Sequence, residues 1–330
     1  MNVAACELLS RITLLHGGIS KTPTVRQSEC VIFQSGKAYT FSGDVFAVTD
    51  LDLGFNGAIK YSLLVDILQR AGESTIDITP LESKGGIKIA CGRSRSTVPT
   101  ERPIIQSLSS VAEPPTSWLP LNKEYRKAIL SCESVIVRSD LDEVLSSIHF
   151  DMDKIEAGST SQLIRIYQPS PFPRRFLVRG GILKKLFTCG VTEMQLNDQW
   201  LFFKNDLAVY GTPVYDDAFL ALDSYFKPAS EIIKFPREEL LKELDLCGVF
   251  ERGCVLKVEL DSQASVCRLS SNTSKGKFDC EVPMDSPISI KFKISPDLFM
   301  RVLSEFEECT IGSNGIHINT PFLSYAASIE

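Results

Sequence analysis

Three segments of the chain repeat one pattern of apolar positions. Segments 59–68, 178–187 and 294–303 each place apolar residues at spacing i, i+1, i+4 and i+5, which is one face of an α-helix. Successive segments are offset by 119 and 116 residues, about a third of the 330-residue chain, so the pattern predicts three similar domains. The apolar residues are Leu63, Leu64, Ile67 and Leu68, then Ile182, Leu183, Leu186 and Phe187, then Leu298, Phe299, Val302 and Leu303.

Each of these helical segments is followed by two alternating runs of apolar and polar residues. Alternation of this kind predicts β-strands, and the Gly, Asn and Asp residues between the runs predict tight turns. We therefore expect a hairpin after each helix. The paired runs are Thr75–Thr79 with Ile87–Ile89, Val191–Leu196 with Trp200–Phe203, and Cys309–Ile311 with Ile316–Ile318.

A second helix is predicted at the start of each third of the chain. The candidates are Ala4–His16, Asn122–Val137 and Pro236–Val249, and strand-like runs such as Cys30–Phe33 and Ala38–Phe41 follow the first of them. Two helices packed on antiparallel sheet form an α+β domain. Proline-containing linkers then place the three domains at 1–115, 116–228 and 229–330.

Composition and charge exclude several classes of protein. The chain is 44% hydrophobic, which is enough for a sizeable core and too much for a disordered protein. A net charge of −6 argues against a protein that coats nucleic acid with its whole surface. The N-terminus lacks the basic region of a signal peptide, and the ten cysteines form no Cys-x-x-Cys pair. We expect a cytoplasmic protein with reduced thiols and with no metal or cofactor.

An enzyme is the first alternative, and the sequence gives little support to it. The three histidines are His16, His149 and His317, and none lies in a metal-binding or nucleophile motif. The Gly17-Gly18 and Gly180-Gly181 pairs lack the rest of a phosphate-binding loop. We expect no catalytic residues and no enzymatic activity.

Local motifs on this threefold repeat resemble one family, the bacterial DNA polymerase III beta subunit, or DNA sliding clamp. The similarity covers nearly the whole chain. Each motif alone is weak, and their common order makes the resemblance specific. The segments are Leu8 through Thr24, Phe41 through Leu53, Gly92-Arg93-Ser94-Arg95, Leu145 through Asp151, Asn272 through Glu281, and Tyr325.

The resemblance implies a function. Three tandem clamp-like domains would form half of a ring that encircles double-stranded DNA without reading its sequence, and two chains would close the ring as a homodimer. A short peptide motif of the DNA polymerase, or of the clamp loader, would bind a hydrophobic pocket. Such a processivity factor would act at the replisome on the nucleoid and would not contact a membrane. The alternative is a protein-interaction scaffold with the clamp fold that does not encircle DNA.

The chain departs from the family pattern at two places. The family's Thr-Asp-Gly-His-Arg-Leu segment aligns with Ser159–Ile164, where Gln162 and Leu163 replace His and Arg. The family's Met-Pro-Met-Arg-Leu ending is replaced by Ala327-Ser328-Ile329-Glu330. These changes suggest a divergent clamp, encoded by a phage or another mobile replicon.

Positive charge in the middle third fits a DNA-facing surface. Residues 174–189 contain five cations and no acid, and residues 122–138 contain four cations and two acids, whereas the helices of the last third are acidic. A run of cations is otherwise typical of a solvated helix face. With the resemblance, the predicted DNA contacts are Lys21, Arg126, Lys127, Arg138, Arg174, Arg175, Arg179, Lys184 and Lys185.

The same comparison assigns the peptide pocket and the ring interface. Leu145, Ile164 and Phe250 could equally be ordinary core residues. The strand Ser94–Val98 would pair across the subunit interface, with Ser96, Val98, Val249 and Phe250 as the contact residues. The predicted pocket residues are Leu145, Ser159, Ser161, Gln162, Leu163, Ile164, Pro228, Ile233, Ala326 and Ser328.

Overall fold

A computed structural model describes nine stretches of the chain. They are residues 1–20, 25–81, 85–104, 115–136, 143–216, 218–226, 231–250, 254–312 and 315–329, without the side chains of 248–250. Among these residues, no helix is both long and apolar enough to span a membrane. Five of the ten free cysteines are buried.

Six α-helices lie in the described residues, and each overlaps a helix predicted from the sequence. In the helices α4 and α6, all four residues of the predicted apolar face are buried. The helices are α1 (Ala5–Leu14), α2 (Tyr61–Ala71), α3 (Lys123–Val135), α4 (Ile182–Phe187), α5 (Arg237–Phe250) and α6 (Pro296–Glu305).

Helix α2 departs from the predicted pattern. Leu64 and Leu68 are fully buried, whereas Leu63 is 39% exposed and Ile67 is half-buried. The buried residues at i and i+4 form a narrower stripe than in the other two helices. Only two of the four residues predicted for the apolar face of α2 are therefore fully buried in the core.

The described part of the chain also contains twenty-four strands, and the three predicted hairpins are confirmed. The strands are β1 (Asn2–Ala4), β2 (Cys30–Gln34), β3 (Lys37–Phe41), β4 (Phe46–Asp50), β5 (Gly57–Lys60), β6 (Thr75–Leu81), β7 (Gly86–Cys91), β8 (Ser94–Pro99), β9 (Leu119–Pro120), β10 (Ser147–Phe150), β11 (Ile155–Gly158), β12 (Gln162–Ile166), β13 (Phe176–Arg179), β14 (Glu193–Leu196), β15 (Trp200–Lys204), β16 (Ala208–Pro213), β17 (Ile232–Lys234), β18 (Leu256–Asp261), β19 (Val266–Thr273), β20 (Gly276–Pro283), β21 (Ile290–Ile294), β22 (Glu308–Gly312), β23 (Gly315–Asn319) and β24 (Leu323–Ser328). The hairpins pair β6 with β7, β14 with β15, and β22 with β23.

The chain divides into two compact units. The first contains Met1–Glu133 and Pro171–Asp217, and the second contains Ser134–Ser170 and Ala218–Glu330. The first unit holds a four-stranded sheet in the order β1-β6-β7-β8 and an eight-stranded sheet in the order β5-β2-β3-β4-β16-β15-β14-β9. In the eight-stranded sheet, β4 from the first third of the chain pairs with β16 from the middle third.

The second unit has the same kind of architecture. One sheet has the order β20-β19-β18-β21, and seven further strands follow the order β10-β11-β12-β24-β23-β22-β17. Here β12 from the middle third pairs with β24 from the last third. The middle third contributes strands to both units, so the chain divides into two compact units and not into three. The division into three domains at 1–115, 116–228 and 229–330 stays a prediction from the repeat.

Candidate functional sites

A cavity of about 740 Å³ lies in the second unit. Seven of the ten residues predicted for the pocket line it, which supports the assignment of a single site. Its remaining lining residues are Thr160, Leu220, Ala221, Leu222, Ser224, Tyr225, Gly312, His317 and Ala327. The seven predicted residues are Leu145, Ser159, Ser161, Gln162, Leu163, Ala326 and Ser328.

The other three predicted pocket residues do not line the cavity or lie outside the described chain. Ile164 is 3% exposed and Ile233 is fully buried, so both are core residues. Pro228 lies outside the described residues. Leu145 and Ile164 could each have been a pocket residue or a core residue. Leu145 lines the cavity, and Ile164 does not.

Antiparallel pairing of β12 with β24 builds the floor of the cavity. The register places Gln162 opposite Ala327 and Leu163 opposite Ala326, and the Ser328 amide donates to the Ser161 carbonyl at 2.9 Å. Two segments that are far apart in sequence thus meet because they are neighbouring strands. This pairing brings the predicted residues of the middle and last thirds together.

A second cavity of about 340 Å³ shares Ser161, Gln162 and Ser328 with the first. The Gln162 side-chain oxygen accepts hydrogen bonds from the Tyr325 hydroxyl at 2.8 Å and from the Arg301 guanidinium at 3.2 Å. These two contacts fix the orientation of the Gln162 amide. Gln162, which the resemblance aligns with a histidine of the family, is therefore held in place between residues of the two cavities.

The wall of the first cavity was missed in the sequence. Leu220 is 45% exposed and Tyr225 is 58% exposed, so both offer apolar surface at the cavity mouth. The stretch from Phe219 to Phe226 is rich in aromatic residues and leucines, and that was the available signal. Burial lowers the pKa of His317, so this lining side chain is neutral at pH 7.

A buried ion network lies on the strands β10, β11 and β12. The Glu156 carboxylate accepts a hydrogen bond from the Arg165 Nε at 2.6 Å and lies 3.0 Å from the His149 Nδ1. Arg165 also donates to the exposed Asp223 carboxylate at 2.6 Å. Burial alone would raise the pKa of Glu156, but the hydrogen bonds to His149 and Arg165 outweigh it and lower the pKa.

This network predicts a pH-dependent stability. Because the folded-state pKa of Glu156 is depressed, its contribution is complete above its unfolded pKa of about 4.3 and is lost as the pH falls through the folded pKa. We expect Glu156→Gln to reduce the free energy of unfolding at pH 7 by about 3 kcal/mol, since it leaves Arg165 without its buried partner. We also expect the variant's stability to depend less on pH below 4. Urea unfolding at pH 7 and pH 3.5 measures both.

Glu193→Gln is the matched control for this prediction. Glu193 forms an ion pair with Lys204, but its side chain is 38% exposed. An exposed pair contributes about 0–1 kcal/mol, so the control is expected to unfold like the unmodified chain. Equal unfolding free energies for Glu156→Gln and the unmodified chain at pH 7 would contradict the role given to the network.

The helices α3 and α4 of the middle third are joined at both ends in the first unit. The Glu133 carboxylate accepts hydrogen bonds from the amides of Gly181 at 2.6 Å and Leu183 at 3.1 Å, at the start of α4. The Arg126 guanidinium donates to the Phe187 carbonyl at 2.8 Å, at the end of α4. An acid at the N-terminus of a helix and a cation at its C-terminus both interact favourably with the helix dipole. The two helices therefore run antiparallel.

The predicted DNA-contacting cations in the described residues fall into three groups. Arg126 and Arg174 are committed to the fold, because Arg174 contacts the Asp216 carboxylate and donates to the Asp198 carbonyl at 2.6 Å. Arg179 and Lys185 are half-buried, and Arg179 lies 3.4 Å from Asp44. The exposed group consists of Lys127, Arg175 and Lys184. Lys21 and Arg138 lie outside the described residues.

Two of the edge strands in the described residues bear on ring closure. Strand β8 is one edge of the first four-stranded sheet, and β20 is one edge of the other. Ser96 is exposed on β8, whereas Val98 points into the core with 2% exposure. Val249 and Phe250 end α5, and their side chains lie outside the described part of the chain.

Comparison with known proteins identifies the fold. No protein-family model and no curated protein matches the chain. The DNA polymerase III subunit beta of Pseudomonas aeruginosa matches with a TM-score of 0.82 and 14% identity, covering 100% of this chain and 99% of that chain. The DnaN sliding clamp of Bartonella birtlesii, bound to griselimycin, matches with a TM-score of 0.85 and 14% identity, over 100% and 98% of the chains. The sliding clamp of Caulobacter crescentus matches with a TM-score of 0.83 and 12% identity over the same shares. The chain has the fold of these clamps from end to end.

Proposed function

We propose that the chain is a DNA sliding clamp, a non-enzymatic processivity factor that encircles duplex DNA as a homodimer and tethers a DNA polymerase. The observation that carries this proposal is the agreement of fold with DNA polymerase III beta subunits over 100% of the chain. The predicted three domains per chain would supply half of the ring. The protein would act in the cytoplasm, at the replisome.

The antiparallel helices α3 and α4 support a role in DNA binding. They present the exposed cations Lys127 and Lys184 from neighbouring helices, with Arg179 and Lys185 beside them. A topologically linked ring needs only a few phosphate contacts, and such contacts do not depend on sequence. A net charge of −6 is compatible with this role if the cations are concentrated on the DNA-facing helices.

The larger cavity supports binding of a short peptide motif from the polymerase or the clamp loader. Its lining combines apolar side chains, such as Leu145, Leu163 and Tyr225, with serine hydroxyls at 159, 161 and 328. A mainly apolar cavity with a few polar groups is typical of ligand sites. Because Gln162 and Leu163 stand where the family has His and Arg, we expect the recognised motif to differ from the one that family members bind.

The edge strands β8 and β20 support ring closure by strand pairing between two chains. An edge strand is a template for another strand. Strand β8 carries Arg95, and β20 carries Lys277, Asp279 and Glu281, so the two strands have net charges of +1 and −1. A head-to-tail arrangement would join the first third of one chain to the last third of the other.

Charge reversal on β8 tests this mode of closure. We expect Arg95→Glu to raise the dissociation constant of the dimer about fivefold, because an attractive exposed pair worth up to about 1 kcal/mol is replaced by repulsion. Adding Glu281→Lys should restore part of the affinity. Lys37→Glu, at the exposed first residue of β3, is the control. Sedimentation equilibrium measures the constants, and an unchanged constant for Arg95→Glu would exclude β8 from the interface.

Native mass tests the subunit count. A homodimer has twice the 36.6 kDa mass of the chain. Native mass spectrometry at micromolar concentration should therefore find the dimer as the main species. A chain that remains monomeric under these conditions would undermine the ring.

A further inference from the structure

One wall of the larger cavity is held almost entirely by side chains. The segment 218–226 supplies five of the lining residues, from Leu220 to Tyr225. Its one backbone hydrogen bond among the described residues is internal, from the Tyr225 amide to the Leu222 carbonyl at 3.0 Å. No backbone hydrogen bond in the described chain connects this segment to a strand or a helix. Something other than the backbone must therefore fix its position.

Three side chains of the segment contact the ion network on the sheet. Asp223 accepts a 2.6 Å hydrogen bond from Arg165, and the Phe226 ring lies 5.1 Å from the Arg165 guanidinium. The Phe219 ring stacks on His149 with centroids 4.9 Å apart. A guanidinium packed on an aromatic ring is favourable in addition to its ion pair. Arg165 thus contacts both Asp223 and Phe226.

Arg165 itself is firmly held. It is 8% exposed, and its Nε donates to the carboxylate of Glu156, which is 3% exposed. Neighbouring strand pairing fixes both residues, since Glu156 on β11 lies opposite Arg165 on β12. The guanidinium therefore presents its NH1 to Asp223 from a rigid sheet.

We propose that Arg165 is a positioning residue for the peptide pocket: through Asp223 and Phe226 it clasps the segment 218–226 and keeps this wall closed over a bound peptide. The inference rests on the proposed function, because it assigns a role within the same pocket. Release of a peptide requires the wall to open. The clasp therefore sets the lifetime of the complex more than its rate of formation.

Asp223→Ala tests the clasp, because the side chain of Asp223 is 83% exposed and its removal leaves the core intact. Chymotrypsin cleaves after the aromatic and leucine residues of the segment, and at low protease concentration the cleavage rate follows the population of the open segment. We expect cleavage within 218–226 to accelerate about fivefold, the effect of losing about 1 kcal/mol. The dissociation rate of a fluorescein-labelled hexapeptide ending in Leu-Phe should rise by the same factor, with an unchanged association rate.

Two further variants separate positioning from general stability. Asp223→Glu keeps the carboxylate and should restore slow cleavage and slow release. Asp216→Ala is the matched control, since Asp216 also pairs with an arginine, Arg174, and its side chain is 74% exposed. This control should leave cleavage within 218–226 and peptide release unchanged.

The outcomes distinguish this inference from the proposed function. If the unmodified chain does not bind this hexapeptide, the pocket does not take a Leu-Phe motif, and the cleavage rates still decide whether the clasp exists. Cleavage and release within twofold of the unmodified chain for Asp223→Ala would overturn the clasp. Equal acceleration by Asp216→Ala would also overturn it, because the effect would then be unspecific.

Discussion

Reversing Arg179, Lys184 and Lys185 together to Glu is expected to abolish stable retention on DNA at physiological salt. These residues lie at the end of β13 and on α4, where the chain has its densest positive charge. The slope of log Kd against log salt concentration should fall by about 0.9 for each phosphate contact that is lost. The loss of three contacts should therefore reduce the slope by about 2.7. Fluorescence anisotropy of a labelled duplex at several salt concentrations measures this slope.

The control for this prediction has the same net charge. Reversal of the exposed Lys37, Lys257 and Lys275, which lie off the α-helices, also takes the chain from −6 to −12, because each reversal changes the charge by two. If only overall charge matters, both triple variants lose the same affinity. The proposed DNA-facing surface predicts a loss confined to the first variant. Retention that survives the first triple reversal would show that α4 does not face DNA.

Replacing Leu163 with Asp is expected to weaken peptide binding by on the order of 100-fold. Leu163 is half-buried on β12, opposite Ala326, and lines the larger cavity. A bound apolar peptide would cover the new carboxylate and leave it without a partner, which costs several kcal/mol. Anisotropy of the labelled Leu-Phe hexapeptide measures the loss. The neighbouring Ile164 is unsuitable for this test, because an acid at this buried position would unfold the sheet.

Leu323→Asp is the matched control for the pocket variant. Leu323 is a half-buried leucine at the start of β24, in the same sheet, but it does not line the cavity. Both variants place an acid at a half-buried strand position, so similar losses of thermal stability are expected. Only Leu163→Asp should lose the peptide. Equal peptide affinity for the two variants would exclude Leu163 from the binding site.

The helices and hairpins could be predicted because the local spacing of apolar residues differs between helices and strands. The faces of α4 and α6 follow from spacing alone, and the turns between paired strands carry Gly or Asn. The full-length fold was predicted from the resemblance to sliding clamps, which rests on the order of the motifs along three such units. In α2 the pattern overstated burial, since only Leu64 and Leu68 of its predicted face are fully buried.

The pocket was only partly predictable, because its parts meet through long-range contacts. The residues on β12 and β24 were found by resemblance, but the wall 218–226 was not. Its place depends on the ion pair between Arg165 and Asp223, which are 58 positions apart. Glu133 illustrates the same limit. It counted against a basic surface in the sequence, yet in the fold its carboxylate binds the amides at the start of α4.

Retention on circular DNA tests the central claim most directly. The chain is incubated with nicked circular plasmid at a concentration near the dissociation constant of its dimer, so that rings open and close around the DNA. Gel filtration at about 0.5 M salt then removes protein held only by phosphate contacts. A ring predicts that protein elutes with the circular plasmid and is released when a restriction enzyme linearises it. Equal retention on circular and linear DNA, or none on either, would contradict encirclement and favour a clamp-fold scaffold.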